Sequence, residues 1–221
     1  FEAVACGNRW YPVAMATDEI SLKSVQYQVD TTTRIATISL ARPKRLNAID
    51  DYMPVEIAKC VELANADDRV HVIILQGQGR AFCAGYDLKE YSEGSPVGEG
   101  SPNQSMPWDP TVDFQFMWAN TQDFMSLFRS FKPTICKVQG FAVAGGSDIA
   151  LCCDMVVMAE DAQIGYPPAR VWGCPTTAMW NYRLGPEKAK RMLLTGDLIN
   201  GVEAASMGLV LKAVPAEQLD A

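Results

Sequence analysis

The sequence has one histidine, His71, no Cys-X-X-Cys pair and no cluster of basic residues. A zinc site therefore has almost no ligands to draw on, and a Ser-His-Asp hydrolase has no good base. The stretch Gly145-Gly-Ser-Asp-Ile149 lacks the closing glycine of a G-x-S-x-G elbow. No G-x-G-x-x-G opens a helix and no G-x-x-x-x-G-K-[ST] occurs, so dinucleotide and P-loop readings fail. Basic charge is scarce: 19 Lys and Arg against 26 Asp and Glu, a formal net charge of −7. Nucleic acid is therefore not an expected partner, because phosphate binding rests on concentrated positive charge. An anionic small substrate remains open through a local basic spot. No apolar run approaches the roughly 18 residues of a membrane helix; Asp148 and Asp154 interrupt the best stretch. The N-terminus has no Lys/Arg-led apolar segment, so a cytoplasmic protein is expected.

What is present fits one globular core. Of 221 residues, 48% are hydrophobic and 20% charged. That balance excludes a disordered tail, a collagen repeat and a coiled coil. The seven cysteines (Cys6, Cys60, Cys83, Cys136, Cys152, Cys153, Cys174) are irregularly spaced and read as reduced thiols, mostly in the core. Residues 1–14 show no pattern and read as an extension before a native start at Met15, with 15–221 as a single core. Residues 25–30 and 35–40 alternate and are β-branched, a strand pair around a turn of threonines. Apolar spacing predicts a helix over 50–65, and residues 70–75 read as a strand covered on both faces. Residues 92–110, dense in Gly, Pro and Ser, read as a flexible loop. A helix over 114–131, a strand over 134–138, an apolar segment over 149–153 and a strand over 155–159 follow. Helices over 177–184, 187–194 and 201–207 precede a last strand over 209–214. This alternation predicts an α/β fold with largely parallel pairing. No internal repeat is visible in the residues.

Two glycine-bearing turns stand out, Phe82-Cys-Ala-Gly-Tyr-Asp-Leu-Lys89 and Gly140-Phe-Ala-Val-Ala-Gly-Gly-Ser-Asp148. Each follows a strand, and glycine lets backbone approach a ligand while free N–H groups point at it. Two such turns on one sheet would supply the converging donors of an oxyanion hole. Taken singly, each also reads as an ordinary tight turn. His71 reads as a half-buried histidine at a strand's beginning.

Arg42-Pro-Lys-Arg-Leu-Asn-Ala48, Ala81-Phe-Cys-Ala-Gly-Tyr-Asp-Leu-Lys-Glu90 and Lys132-Pro through Val138-Gln-Gly-Phe-Ala-Val-Ala-Gly-Gly146 to Cys153-Asp154 stand in that order. With Ala162-Gln-Ile-Gly165, Leu193-Leu-Thr-Gly196 and Gly208-Leu-Val210, they resemble the crotonase family of enoyl-CoA hydratases and isomerases. The resemblance covers about residues 22–215. It implies a superhelix of ββα units, usually assembled as trimers or trimer pairs, with no metal and with coenzyme A entering as part of the substrate. It places the backbone N–H groups of Tyr86 and Gly145 on the thioester oxygen. Lys44, Arg45, Leu46 and Ala48 would lie along the CoA nucleotide, Lys44 and Arg45 being the basic spot. Ala84, Asp87, Leu88 and Pro168 take further substrate-binding positions.

The sequence departs from the hydratase pattern of two glutamates. Asp148 stands at the first position, one methylene shorter, and Pro168 at the second, where it has no proton to transfer. Asp148 reads as the acid/base; its alternative is a first-turn residue favoured by the helix dipole. Tyr166, Thr176 and Thr177 are open either to a second polar role or to helix packing. Relatives usually continue with a C-terminal helical segment that is expected to be missing here. The expected activity is hydratase or isomerase. Thioester hydrolysis or decarboxylation on the same fold, or a non-catalytic CoA- or RNA-binding relative, are the alternatives.

Overall fold

The computed structural model describes residues 21–91, 107–171 and 173–221. The expected extension over 1–14, the start at Met15 and most of the 92–110 loop lie outside the described residues. The chain begins with the expected strand pair. β1 (Val25–Asp30) and β2 (Ile35–Leu40) run antiparallel, with Val25 opposite Leu40. Asp30 Oδ1 tightens the threonine turn by accepting the Thr32 N–H at 2.8 Å. A 3-10 turn at Pro43–Arg45 leads to α1 (Met53–Ala66). This helix starts at Met53 rather than residue 50 because the Asp50 carboxylate accepts the Met53 N–H at 2.9 Å. Such a carboxylate satisfies a donor that the first turn leaves over.

β3 (Val72–Gly77) pairs parallel with β2, and Val70 closes the preceding turn through the Asp67 carbonyl. The strand is fully buried on one face only, by Ile73 and Leu75, while Val72 and Ile74 stay half-buried. α2 (Leu88–Tyr91) follows the first glycine turn, and α3 (Pro110–Phe128) begins behind Asp109, whose side chain accepts the Thr111 N–H. β4 (Thr134–Val138), β5 (Phe141–Val143) and α4 (Gly145–Leu151) come next, so the apolar segment 149–153 is the end of a helix and its exit. After them come β6 (Met155–Ala159), β7 (Gln163–Gly165) and α5 (Met179–Thr195). The two helices expected at 177–184 and 187–194 are continuous in α5 except at Gly185, whose φ of 72° breaks the path ahead of Pro186. β8 (Leu198–Asn200), α6 (Gly201–Met207) and β9 (Lys212–Val214) end the fold. The last strand is shorter than expected, since Leu209 and Val210 serve as buried plugs behind α6.

Six strands form one sheet in the order β1-β2-β3-β4-β6-β9, parallel except for the first pair. A second sheet, β5-β7-β8, was not foreseen, because three-residue strands are too short to show alternation. Its bridges extend further, joining Cys83 to Ala142 and Ile49 to Tyr86. The repeat absent from the residues is thus present in the backbone. β4-β5-α4 and β6-β7-α5 each place one strand in the large sheet, one in the small sheet, and then a helix. β2 with Ile49 and α1 follows the same path.

Ile38, Leu40, Ile73, Leu75, Val138, Val156 and Met158 bury the helix-facing side of the large sheet with Phe82, Phe124 and Trp180. Fully burying side chains of this size is worth about 1.5–3 kcal/mol each. Five of the six described cysteines are buried free thiols, while Cys174 is exposed.

Candidate active site

The two glycine turns meet. The Ile49 N–H donates to the Gly85 carbonyl at 2.8 Å, and the Asp87 N–H donates to the Ile49 carbonyl at 2.9 Å. In parallel pairing these bonds bracket Tyr86 and turn its own N–H toward the opposite edge. That edge is the second turn. A Cβ built on Gly85 would lie 2.8 Å from Ala144 Cβ and 3.4 Å from the Gly145 nitrogen. Gly85 also has φ of 89°, so only glycine fits without strain. One residue on from Gly145, a Cβ at Gly146 would come within 2.4 Å of the Cys83 carbonyl oxygen. Gly145 is the first residue of α4, where an N–H has no acceptor within the helix. Ala144 before it holds φ 52° and ψ -129°. That is a strained conformation for a residue with a side chain.

The Tyr86 ring covers Gly145, its Cε2 lying 3.1 Å from where a Cβ would stand. Its hydroxyl accepts a hydrogen bond from Asn120 Nδ2 at 3.3 Å. Burial, reinforced by the neighbouring Asp148 charge and opposed by Asn120, holds the Tyr86 phenol above its ordinary range. Asn120 was not singled out from sequence. It is a buried polar residue within the apolar helix α3, and that mismatch is the signal it carried.

Asp148 lies in the first turn of α4 and is 1% exposed. It does not cap that helix: Ala144 is the N-cap, without a side-chain bond. Its Oδ1 instead accepts the Thr177 hydroxyl at 3.0 Å, from the segment entering α5. Burial pushes its pKa up from 3.8 to about 7, against the stabilising pull of the Thr177 hydroxyl and of the Thr176 and Thr177 amides. No cation among the described residues contributes. Tyr166 is also raised, first by burial and then by Asp148, and its hydroxyl donates to the Cys174 carbonyl at 2.8 Å. The structure therefore gathers Tyr86, Gly145, Asp148 and Thr177, with Asn120 and Tyr166 around them. Pro168 is half-buried in a 3-10 turn at Pro167–Arg170; its carbonyl accepts the Gly173 N–H at 2.9 Å.

The remaining expected substrate-binding residues form a second cluster. Lys44 and Arg45 are exposed, and with Ala41, Arg42, Pro43 and Gln78 they line a cleft of about 320 Å³. Leu46 and Asn47 have φ of 51° and 53°. Asn47 holds this unusual turn: its Oδ1 accepts the Arg42 N–H, and its Nδ2 donates to the Gln78 and Ala81 carbonyls. The Leu46 carbonyl accepts the Ala84 N–H at 3.1 Å, which ties the cleft to the first glycine turn. Asp87 has other occupations. Its carboxylate meets Arg42 Nη2 at 3.1 Å and accepts the Lys89 N–H, and Arg42 also pairs with Asp50 at 3.1 Å. Ala48 is buried and its carbonyl accepts from Arg42, whereas Leu88 is 61% exposed at the start of α2. Arg42 and Asn47 lie inside the first motif, but their anchoring roles are not legible there, because backbone contacts of this kind leave no spacing pattern. Among the described residues no group of three His, Cys, Asp or Glu side chains is placed to hold a metal. No described helix is long and apolar enough to cross a membrane.

The ββα scaffold brings the two glycine turns together beside a buried carboxylate. Residues 30–221 match the family model described as enoyl-CoA hydratase/isomerase, and the chain belongs to that family. EchA13 of Mycobacterium tuberculosis is 34% identical over 214 residues, spanning 88% of this chain and 64% of that protein. The mitochondrial enoyl-CoA hydratase of Pongo abelii is 31% identical, spanning 84% of this chain and 59% of its own length. The chain thus spans less than two thirds of these curated relatives. A crystal structure of an enoyl-CoA hydratase from Mycobacterium smegmatis is 45% identical with a TM-score of 0.80, covering 90% of this chain and 69% of that one.

Proposed function

We propose that the protein acts on acyl-CoA thioesters as an enoyl-CoA hydratase or isomerase, with Asp148 as the group that moves the proton. The observation that carries this reading is Asp148 itself, a carboxylate 1% exposed, with no cation acting on it among the described residues, and raised to about 7. A base poised near working pH is the most efficient proton carrier. The Tyr86 and Gly145 N–H groups hold the thioester oxygen, where negative charge collects when the substrate becomes an enolate. One such donor typically supplies about 2.7–4 kcal/mol of transition-state stabilisation. Backbone strain at Ala144 and at Leu46–Asn47, beside the two proposed binding edges, agrees with this reading. Lys44 and Arg45 meet the CoA phosphates at their cleft. Ala84, Leu88 and Pro168 border the acyl path, and Asp87 acts from beneath by fixing Arg42.

In isomerisation, Asp148 takes a proton from the carbon next to the thioester carbonyl and returns it two carbons further along the enolate. The enzyme ends in its starting protonation state. The protein works without a metal or separate cofactor, as a cytoplasmic homotrimer or hexamer. Incubation with 2-enoyl- and 3-enoyl-CoA thioesters, followed by mass spectrometry and chromatography, tests the reading. Gain of one water or an isobaric double-bond shift supports it. Release of free CoA or loss of carbon dioxide assigns the alternative hydrolase or decarboxylase chemistry. No turnover with tight CoA binding assigns a binding protein.

A further inference from the structure

Resting on the acyl-CoA reading above, we propose that Asn120 is a positioning residue: through the Tyr86 hydroxyl it holds the Tyr86 ring against Gly145, and so fixes the gap between the two N–H groups that receive the thioester oxygen. The link is direct. Asn120 Nδ2 donates to the Tyr86 hydroxyl at 3.3 Å, across 34 residues of sequence. Cδ2 and Cε2 of the same ring lie 3.2 and 3.1 Å from where a Gly145 Cβ would stand. One side chain of the first turn thus touches both the second turn and α3.

Backbone pairing alone does not set this gap. The two turns are joined at Cys83, whose N–H donates to the Phe141 carbonyl at 2.9 Å and whose carbonyl accepts the Val143 N–H at 3.1 Å. The next amide of the second turn, that of Ala144, donates away to the Gly165 carbonyl at 3.1 Å. Beyond Cys83, the distance from Tyr86 to Gly145 depends on what packs between them. Ile49 Cδ1 stands 2.8 Å from the Gly145 Cβ position, and the Tyr86 ring lies beside it. Ile49 is pinned by its backbone bonds to Gly85 and Asp87. The ring has two side-chain torsions to fix, and the bond from Asn120 ties its far end.

α3 is suited to carry that bond. Asn120, Phe124 and Leu127 share its buried stripe, at the i, i+4, i+7 spacing of one helical face. Phe124 and Leu127 are fully buried, and Asn120 is 7% exposed. A polar group at a core position is costly without a partner. Thr121 beside it donates within the helix, to the Met117 carbonyl at 2.7 Å; Asn120 reaches across to Tyr86 instead.

Further along α3, Met125 Sδ accepts the Cys152 thiol at 3.7 Å, at the exit of α4. α3 thus rests on the first glycine turn at one point and on the helix that carries Gly145 at another. An oxyanion hole works when its donors stand about 2.7–3.1 Å from the developing charge. A small drift of Tyr86 therefore weakens the hold on the enolate without closing the site to substrate.

The test joins infrared spectra of butyryl-CoA, isotope-labelled at the thioester carbonyl and bound to the full chain, with steady-state turnover of the enoyl-CoA the parent converts. Binding to the parent should lower the carbonyl stretch relative to the free thioester, because N–H donors polarise it. Asn120→Leu, of similar volume without the N–H, should lose about half of that shift, one of two donors being displaced. It should also lower kcat about tenfold with KM little changed. Tyr86→Phe keeps the ring, leaves α3 untouched and should do the same; it serves where Asn120→Leu does not fold. The double variant should be no worse than either single one, as for two residues acting through one contact. A parental carbonyl shift in folded Asn120→Leu or in Tyr86→Phe overturns the role of Asn120 alone, and so do losses that simply add in the double variant. A parent that binds butyryl-CoA without shifting its carbonyl overturns the oxyanion hole as well. A parent that binds no acyl-CoA overturns the acyl-CoA reading itself.

Discussion

Two regions of this molecule bury carboxylates, and they treat them oppositely. Around the cleft at Lys44 and Arg45, Asp50 and Asp87 are 6% and 5% exposed, and both contact the Arg42 guanidinium at 3.1 Å. Across the glycine turns, Asp148 is buried more deeply, and among the described residues it accepts the Thr177 hydroxyl and is favoured as an anion by the Thr176 and Thr177 amides, with no cation among these influences. A paired buried charge holds its surroundings in place, and removing the partner is expensive. A buried charge without a counter-ion is held by the fold at the edge of neutrality. Perturbation of that kind marks a proton-transfer site more often than a structural one.

Asp148→Asn tests that difference most strongly. Turnover should fall by about 10²–10⁴-fold while CoA binding survives, measured on whichever thioester the parent converts. Stability gives an independent reading. Well below its ordinary pKa, Asp148 is protonated in both the folded and unfolded states. Between pH 3.8 and about 7 the folded protein retains a proton that the unfolded chain has released. Its contribution therefore falls as pH rises, by about 4 kcal/mol across the window. Urea unfolding should show the parent losing stability relative to Asp148→Asn over that range. A constant difference between the two would mean that Asp148 is an ordinary carboxylate.

Arg42→Ala should act on stability instead. Leaving Asp50 and Asp87 unpaired should cost about 3 kcal/mol in urea unfolding, and Arg42→Lys should recover only part, since one ammonium cannot reproduce the guanidinium fork. If Arg42→Ala proves as stable as the parent, the contrast between the two regions fails. Thr177→Val comes next in size. Losing the hydroxyl that favours the charged form should raise the Asp148 pKa by about one unit. The acid limb of kcat/KM then moves to higher pH, whereas Thr177→Ser leaves it in place. The smallest effect belongs to Lys44→Ala with Arg45→Ala. These exposed cations should change acyl-CoA affinity about tenfold at low salt and hardly at all near 1 M, where charge is screened within about 3 Å. Equal affinities at low ionic strength would remove the phosphate contact.

Local residue pattern determined a good part of the architecture. β1, β2, β4, β6 and α6 fall on the residues read from alternation and apolar spacing, because each is long enough to show a period and has a well-defined core face. The glycine turns were legible too, since Gly85 and Gly146 stand where no other residue fits. Asp148 and Pro168 are singled out by motif order, and their proposed roles rest on that resemblance. Tertiary structure decided the rest. The small sheet is built from three-residue strands that carry no periodic signal, so its existence depends on what lies beside it. Asp87 became a structural anchor because Arg42, 45 residues away, folds onto it. Asn120, Thr176 and Thr177 came to surround the site from α3 and from the segment entering α5, which only the packing of α4 between them brings together. Residue types specify which chemistry is available. Burial and neighbours from distant chain positions decide whether a carboxylate holds the fold together or is left ready to move a proton.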